Sequence, residues 1–183
     1  MTNNSETILD IGCGNKKSTG ALGLDIKAFP GVDVIADAFE HSLPFRSGTF
    51  TGVRCIHVLE HTDDLVRVME EIHRVLKPGG LLHLISPHGA TLRFLGDPTH
   101  KTPITCSTFN YFLPDYAYNF YGSARFLVEK IELDFGPDRN RKLHNRFLRW
   151  FWRKRMWQME KILIFSGFNF SLDVCLRKMR REG

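Results

Sequence analysis

The sequence has no long apolar run. Its densest stretch, Leu81–Ile85, is interrupted by His83, whereas a helix that crosses a bilayer needs roughly 20 apolar residues. A membrane-spanning chain is therefore excluded. Cysteine is scarce: Cys13, Cys55, Cys106 and Cys175 lie far apart and form no CxxC pair. That spacing excludes a disulfide framework and argues against a cysteine-held zinc; reduced, mostly buried thiols are expected. Met1–Thr7 carries no basic-then-apolar leader, so a cytoplasmic location is expected. Repeats and low-complexity tracts are missing too. Acids are fewer than bases, 20 against 25 in 183 residues, which gives a net charge of +5. What is present is ordinary core material, 43% hydrophobic with 15 Phe, too apolar for a disordered chain and enough for one domain.

Between Thr7 and Pro87, short apolar runs alternate with turn signals. Ile8–Ile11, Ala21–Ile26, Val32–Asp37 and Gly52–His57 read as strands. Leu65, Val68, Met69, Ile72, Val75 and Leu76 recur at three and four, which predicts a helix over 65–76 capped by Asp63 or Asp64. Lys77-Pro78-Gly79-Gly80 predicts its stop, and Leu81–Ser86 a fifth strand. Short, nearly all-apolar strands joined by crossovers argue for a parallel sheet covered on both faces. Gly89–Asp115 reads as loop, and Phe126–Leu133 and Phe170–Leu176 as two further strands.

Gly12-Cys13-Gly14 follows the first strand directly. Glycines there let the backbone turn tightly and approach a ligand closely. Asp10, Asp25 and Asp37 end three successive strands, and so line the sheet edge where open α/β folds bind ligands. A carboxylate at Asp25 suits ribose hydroxyls, and one at Asp37 suits an adenine amino group. Lys17 stands where a dinucleotide fingerprint wants its third glycine, and no GK[ST] follows the turn, which excludes a P-loop.

Leu9–Gly14 is similar to the first motif of class I S-adenosylmethionine-dependent methyltransferases. His57-Val58-Leu59-Glu60-His61 resembles that family's fourth motif, and Glu70–Gly80 the helix and turn before its fifth strand. The match is closest to the small type 11 branch and covers 7 to about 88. The resemblance implies a Rossmann-like α/β sheet, mostly parallel, with one antiparallel strand near the C-terminus and reduced N-terminal helices. It also implies S-adenosyl-L-methionine as cofactor. Gly12, Cys13 and Gly14 would then pass under its methionine part, while Asp10 holds the loop. Asp25 would bind the ribose beside Ile26, Asp37 and Ala38 would face the adenine, and Ile56 and His57 would face the methionine amino group or sulfonium. The sequence departs from the pattern in having only seven residues between Gly14 and Leu22, too few for the usual helix. With so few residues before the first strand, the usual N-terminal lid is not expected, and 89–125 or 138–165 is expected to close the pocket.

Methyl transfer to a hydroxyl needs alignment and loss of a proton. His88 and His61 follow strands on the ligand edge, and His100 lies near Asp97; His88, His100 and His61 are the candidate catalytic bases. An ion held by His88, Asp97 and His100 is an alternative, but the expected site contains no metal. Phe109, Tyr111, Phe112 and Tyr116 either wall a substrate pocket or form a core patch. Between 136 and 161, nine bases and two acids accompany all three tryptophans. A basic helix with Trp and Phe opposite its charged stripe suits an anionic membrane surface or a packed helix with a solvated face; nucleic acid is a lesser option.

The expected organisation is a single domain over 1–183. It comprises a cofactor-binding half (1–88), an acceptor-side loop region (89–125) and a basic aromatic helical insertion (138–165). The expected function is methylation of a hydroxyl on a small-molecule, saccharide or lipid-linked acceptor by a cytoplasmic enzyme, peripheral at the inner membrane face in one variant. The alternative is a non-catalytic S-adenosylmethionine-binding protein whose basic helix docks on membrane or RNA.

Overall fold

A computed structural model describes residues 6–134 and 169–180. Seven strands form one sheet: β1 (Ile8–Ile11), β2 (Leu22–Asp25), β3 (Val34–Ile35), β4 (Phe50–Ile56), β5 (Leu76–Pro87), β6 (Phe126–Asp134) and β7 (Ser171–Lys178). Their order is β3-β2-β1-β4-β5-β7-β6. The first five pair in parallel, and β7 runs antiparallel to both β5 and β6. The order reverses at β1, between the outward run to β3 and the run through β4 and β5. That switch point opens a crevice at the carboxyl ends of the parallel strands. The expected α/β sheet with one antiparallel strand near the C-terminus is present.

Burial explains why each segment takes its place. Along β7 the alternate residues Leu172, Val174 and Leu176 are fully buried, as their period-two pattern predicts. Helix α1 (Leu65–Val75) buries Val68, Met69, Ile72 and Val75, one stripe at helical spacing. Asp64 caps it, accepting from the Arg67 N–H at 2.9 Å. The helix passes straight into β5 at Leu76, five residues earlier than expected. Lys77–Gly80, read as a stop before the strand, is an irregularity inside it: the β4 register jumps between Phe50 and Gly52 opposite this segment.

The stretch read as loop after His88 contains a short helix, α2 (Leu92–Leu95), and a 3-10 turn at Cys106–Phe112. Phe109 and Phe112 are buried in the core, whereas Tyr116 is exposed, so the aromatic set is largely core material. Asn15–Ala21 forms no helix, as its length requires. Instead, Lys17 pairs with Asp33 at 2.8 Å and the Ser18 N–H donates to Asp10 at 2.8 Å. No helix among the described residues is long and apolar enough to cross a membrane. The basic aromatic segment 138–165 lies outside the described residues.

Candidate active site

The chain leaves β1 through Gly12 and Gly14, both at positive φ, +63° and +52°. Two different constraints require glycine here. A Cβ on Gly12 would lie 2.5 Å from Val58 Cγ2, so the 57–61 segment packs directly on the turn. A Cβ on Gly14 would meet nothing within 4 Å; it would project into open space at the strand edge, where a ligand needs close access to the backbone.

The three strand-end acids divide the work. Asp10 is buried and accepts from the Ser18 N–H and from Arg54 Nη1 at 3.0 Å. It fixes the loop from below and is not among the residues lining the cavity. Asp25 accepts from the Gly14 N–H at 2.8 Å through Oδ2 and from the Lys27 N–H at 3.0 Å through Oδ1. Each carboxylate oxygen has a second acceptor site for a hydroxyl. Asp37 takes the Phe39 N–H at 2.7 Å and the Glu40 N–H at 3.3 Å on Oδ1. Asp25 and Asp37 both face one cavity of about 280 Å³, bounded on the β1 and β2 side by Ile11, Gly12, Leu24 and Ile26. Ala36, Ala38 and Phe39 close it after β3, and His57, Val58 and His61 after β4.

Most of the sequence-predicted cofactor residues therefore meet in one place: Gly12, Asp25, Ile26, Asp37, Ala38 and His57 line the cavity. Cys13, Gly14 and Ile56 do not. Cys13 is buried beneath the turn, where burial, reinforced by the nearby Asp10 and Asp25 carboxylates, pushes its thiol pKa up. His57 is the one non-glycine residue at positive φ among those described, +56°. That conformation costs roughly 1–2 kcal/mol and places a half-exposed imidazole at the cavity wall. Such strain concentrates at binding sites.

The candidate bases separate. His61 lines the cavity, and its Nδ1 lies 3.2 Å from the Thr99 carbonyl. His100 meets it edge-on, with 4.9 Å between ring centroids. Its Nδ1 lies 2.8 Å from the Phe94 carbonyl. His88 stands apart: it is fully buried, its Nδ1 accepts from the Ala90 N–H at 3.2 Å, and its ring packs on Phe170. The segment 97–102 docks on the 3-10 turn at Leu59–His61: Lys101 and Thr102 N–H groups donate to the Glu60 carbonyl, and Lys101 pairs with Asp63. Part of the 89–125 region thus flanks the β4 side of the cavity.

Reasoning from sequence missed Val58, Phe39 and Ala36, which are ordinary apolar residues placed at the cavity only by the turn geometry. It also missed Arg54, the partner of Asp10. No local signal marks it: Asp10 and Arg54 meet only through the parallel pairing of β1 with β4.

The cavity tests whether S-adenosylmethionine fits. An adenosyl group needs an apolar slot, a ribose-binding carboxylate and a glycine turn open to its amino-acid part. The apolar walls, Asp25 and Gly12 of the turn line the cavity and meet those needs, and the volume is near the lower end for ligand pockets, roughly 300–1,000 Å³.

Comparison with known proteins agrees. Residues 9–84 match the family model described as "Methyltransferase domain". The chain is 33% identical over 66 residues to demethylmenaquinone methyltransferase of Chlorobaculum tepidum, covering 36% of this chain and 27% of that one. It is 28% identical over 100 residues to ubiquinone biosynthesis O-methyltransferase of Pseudomonas paraeruginosa, covering 43% of each. The chain thus spans less than half the length of these relatives. An S-adenosylmethionine-dependent methyltransferase from Mesorhizobium loti superposes with a TM-score of 0.61 at 16% identity, covering 94% of this chain and 90% of that one. The glycine turn and the strand-end acids Asp10, Asp25 and Asp37 lie within the matched residues 9–84, and the β3-β2-β1-β4-β5-β7-β6 sheet is part of a fold shared with an S-adenosylmethionine-dependent methyltransferase of known structure.

Proposed function

We propose that this chain transfers a methyl group from S-adenosylmethionine to an oxygen of a small-molecule acceptor. The observation that carries the reading is the single cavity that joins Asp25 and Asp37 to the glycine turn on one side and to His57 and His61 on the other. When bound, the cofactor supplies an electrophilic methyl on a sulfonium. The chain's own residues do the rest. Gly12 and Gly14 keep the backbone low enough for close approach. Asp25, oriented by two backbone N–H groups, takes the ribose hydroxyls, and Ile26 and Ala38 give the adenine apolar walls. Phe39 and Val58 exclude water from the slot.

On the β4 side, the acceptor meets imidazoles. A hydroxyl becomes nucleophilic as its proton leaves, and groups there must stabilise the oxyanion. The named relatives act on demethylmenaquinone and in ubiquinone biosynthesis. The second name, an O-methyltransferase, favours a ring hydroxyl of a quinol-like acceptor over a saccharide hydroxyl. A lipid-linked acceptor fits the same chemistry. Incubation with radiolabelled S-adenosylmethionine and a panel of catechols, quinols and glycans tests the reading. Label transferred to a catechol or quinol supports it. Cofactor binding with no transfer to any member of the panel favours the non-catalytic alternative.

A further inference from the structure

Glu60 sits in the 3-10 turn after β4 with its side chain buried, yet neither carboxylate oxygen has a hydrogen-bond partner among the described residues. Its nearest cationic candidate is His57, whose Nδ1 lies 3.4 Å from Oε1 without hydrogen-bond geometry. Burying a carboxylate in this state is costly unless something else compensates it. Two imidazoles stand beside it: one ligand atom each from Glu60, His61 and His100 lie within 4.8 Å of one another. Two donors across an ion with bonds of roughly 2.2 Å would be about 4.4 Å apart at most. The set is within a few tenths of an ångström of that span.

Both imidazoles are already held in place by backbone carbonyls. His61 presents Nδ1 to the Thr99 carbonyl and hydroxyl, and His100 presents Nδ1 to the Phe94 carbonyl. Donation from Nδ1–H to a carbonyl fixes the tautomer that leaves Nε2 as a lone-pair donor, the usual arrangement of metal-binding histidine. Asp97 borders the group, with Oδ2 3.6 Å from His100 Nε2. Its carboxyl is held below the ordinary value by the Thr99 hydroxyl and N–H, and more weakly by His100 and His61.

We propose that Glu60, His61 and His100 form a binding site for a divalent first-row transition ion beside the cofactor cavity. Two imidazole nitrogens and one carboxylate oxygen suit Mn²⁺, Fe²⁺, Co²⁺ or Zn²⁺, and leave open positions. His61 also lines the cavity, so an oxygen in that space reaches the ion. Resting on the methyl-transfer reading, the ion's role is to hold the acceptor hydroxyl and lower its pKa, so that its proton passes to water before the methyl is transferred. His61 and His100 then act as ligands and not as general bases.

Metal-stripped protein titrated with Mn²⁺, followed by electron paramagnetic resonance, and with Co²⁺, followed by its visible spectrum, tests the site. One equivalent should bind saturably. His61→Ala and His100→Ala should each weaken binding at least ten-fold, while His41→Ala, outside that group, should not. Glu60→Gln should do the same as the histidine variants; should it fail to fold, the two histidine variants decide. No saturable binding to the wild-type chain, or binding unchanged in both histidine variants, overturns the proposal. S-adenosylmethionine titrated into the metal-stripped protein separates the two readings: its binding there keeps the methyl-transfer reading standing even when the metal site fails.

Discussion

Gly12→Ala is the sharpest probe of how the cavity is built. Two costs combine. Alanine at φ +63° is penalised by roughly 1–2 kcal/mol. The new Cβ would also lie 2.5 Å from Val58 Cγ2 and 3.0 Å from Cγ1, and overpacking of this kind costs about 1–3 kcal/mol. The sum is roughly 2–5 kcal/mol, or about 4–20 °C in Tm for a chain of this size. Val58→Ala alone should cost roughly 1.5–3 kcal/mol through lost burial. The two changes are not independent, because removing the Val58 methyl groups relieves the clash. Urea unfolding of both single variants and the double variant should therefore show a favourable coupling of about 1–3 kcal/mol, the overpacking part. The backbone part should survive in the double variant. Additivity within about 0.5 kcal/mol would show that the 57–61 segment does not rest on the turn.

Gly14→Ala should destabilise the fold by only about 1–2 kcal/mol, since its Cβ meets no atom, yet weaken S-adenosylmethionine binding measured by calorimetry; unchanged affinity would place the cofactor elsewhere. Arg54→Met leaves the buried Asp10 with the Ser18 N–H alone, and should cost about 1–3 kcal/mol in urea unfolding; an unaffected midpoint would refute the role given to the pair. Glu71 has its carboxyl pKa held down, first by hydrogen bonds from Arg74 and also by the Leu43 N–H. A depressed folded-state pKa contributes stability above the unfolded value of about 4.3, which is lost as pH falls through the folded value. The Tm difference between wild type and Arg74→Met should therefore shrink as pH drops below about 4. It should not vanish, because Arg74 also donates to the Phe45 and Leu43 carbonyls. A difference constant with pH would contradict the pairing.

The parallel half of the sheet was readable because its strands are short apolar runs ending in turn residues, and because α1 repeats at three and four. Leu76–Gly80 was misread because Pro and Gly signal a stop locally, while pairing with β4 carries the strand through them. The apolar character of 106–112 was ambiguous: the same aromatics suit a pocket wall or a core, and only packing decides that Phe109 and Phe112 are core. At the site, the placement of Gly12, Asp25 and Asp37 at one cavity follows from their positions after successive strands, whereas Asp10, equally placed in sequence, serves the loop instead. Val58 and Phe39 were not legible, because an apolar side chain carries no local mark of facing a ligand. The grouping of Glu60 with His61 and His100 depends on how the 97–102 segment docks on the turn after β4, a long-range contact without a periodic signal.

The central claim is that the cavity at the β1 switch point holds S-adenosylmethionine through Asp25. Isothermal titration of S-adenosylmethionine into the wild-type chain and Asp25→Ala tests it directly. Loss of charge-assisted hydrogen bonds worth about 1.5–3 kcal/mol predicts one site in the wild type and an affinity about 10- to 100-fold weaker in Asp25→Ala. Equal affinity in the two proteins, or no binding heat in the wild type at millimolar ligand, would contradict it.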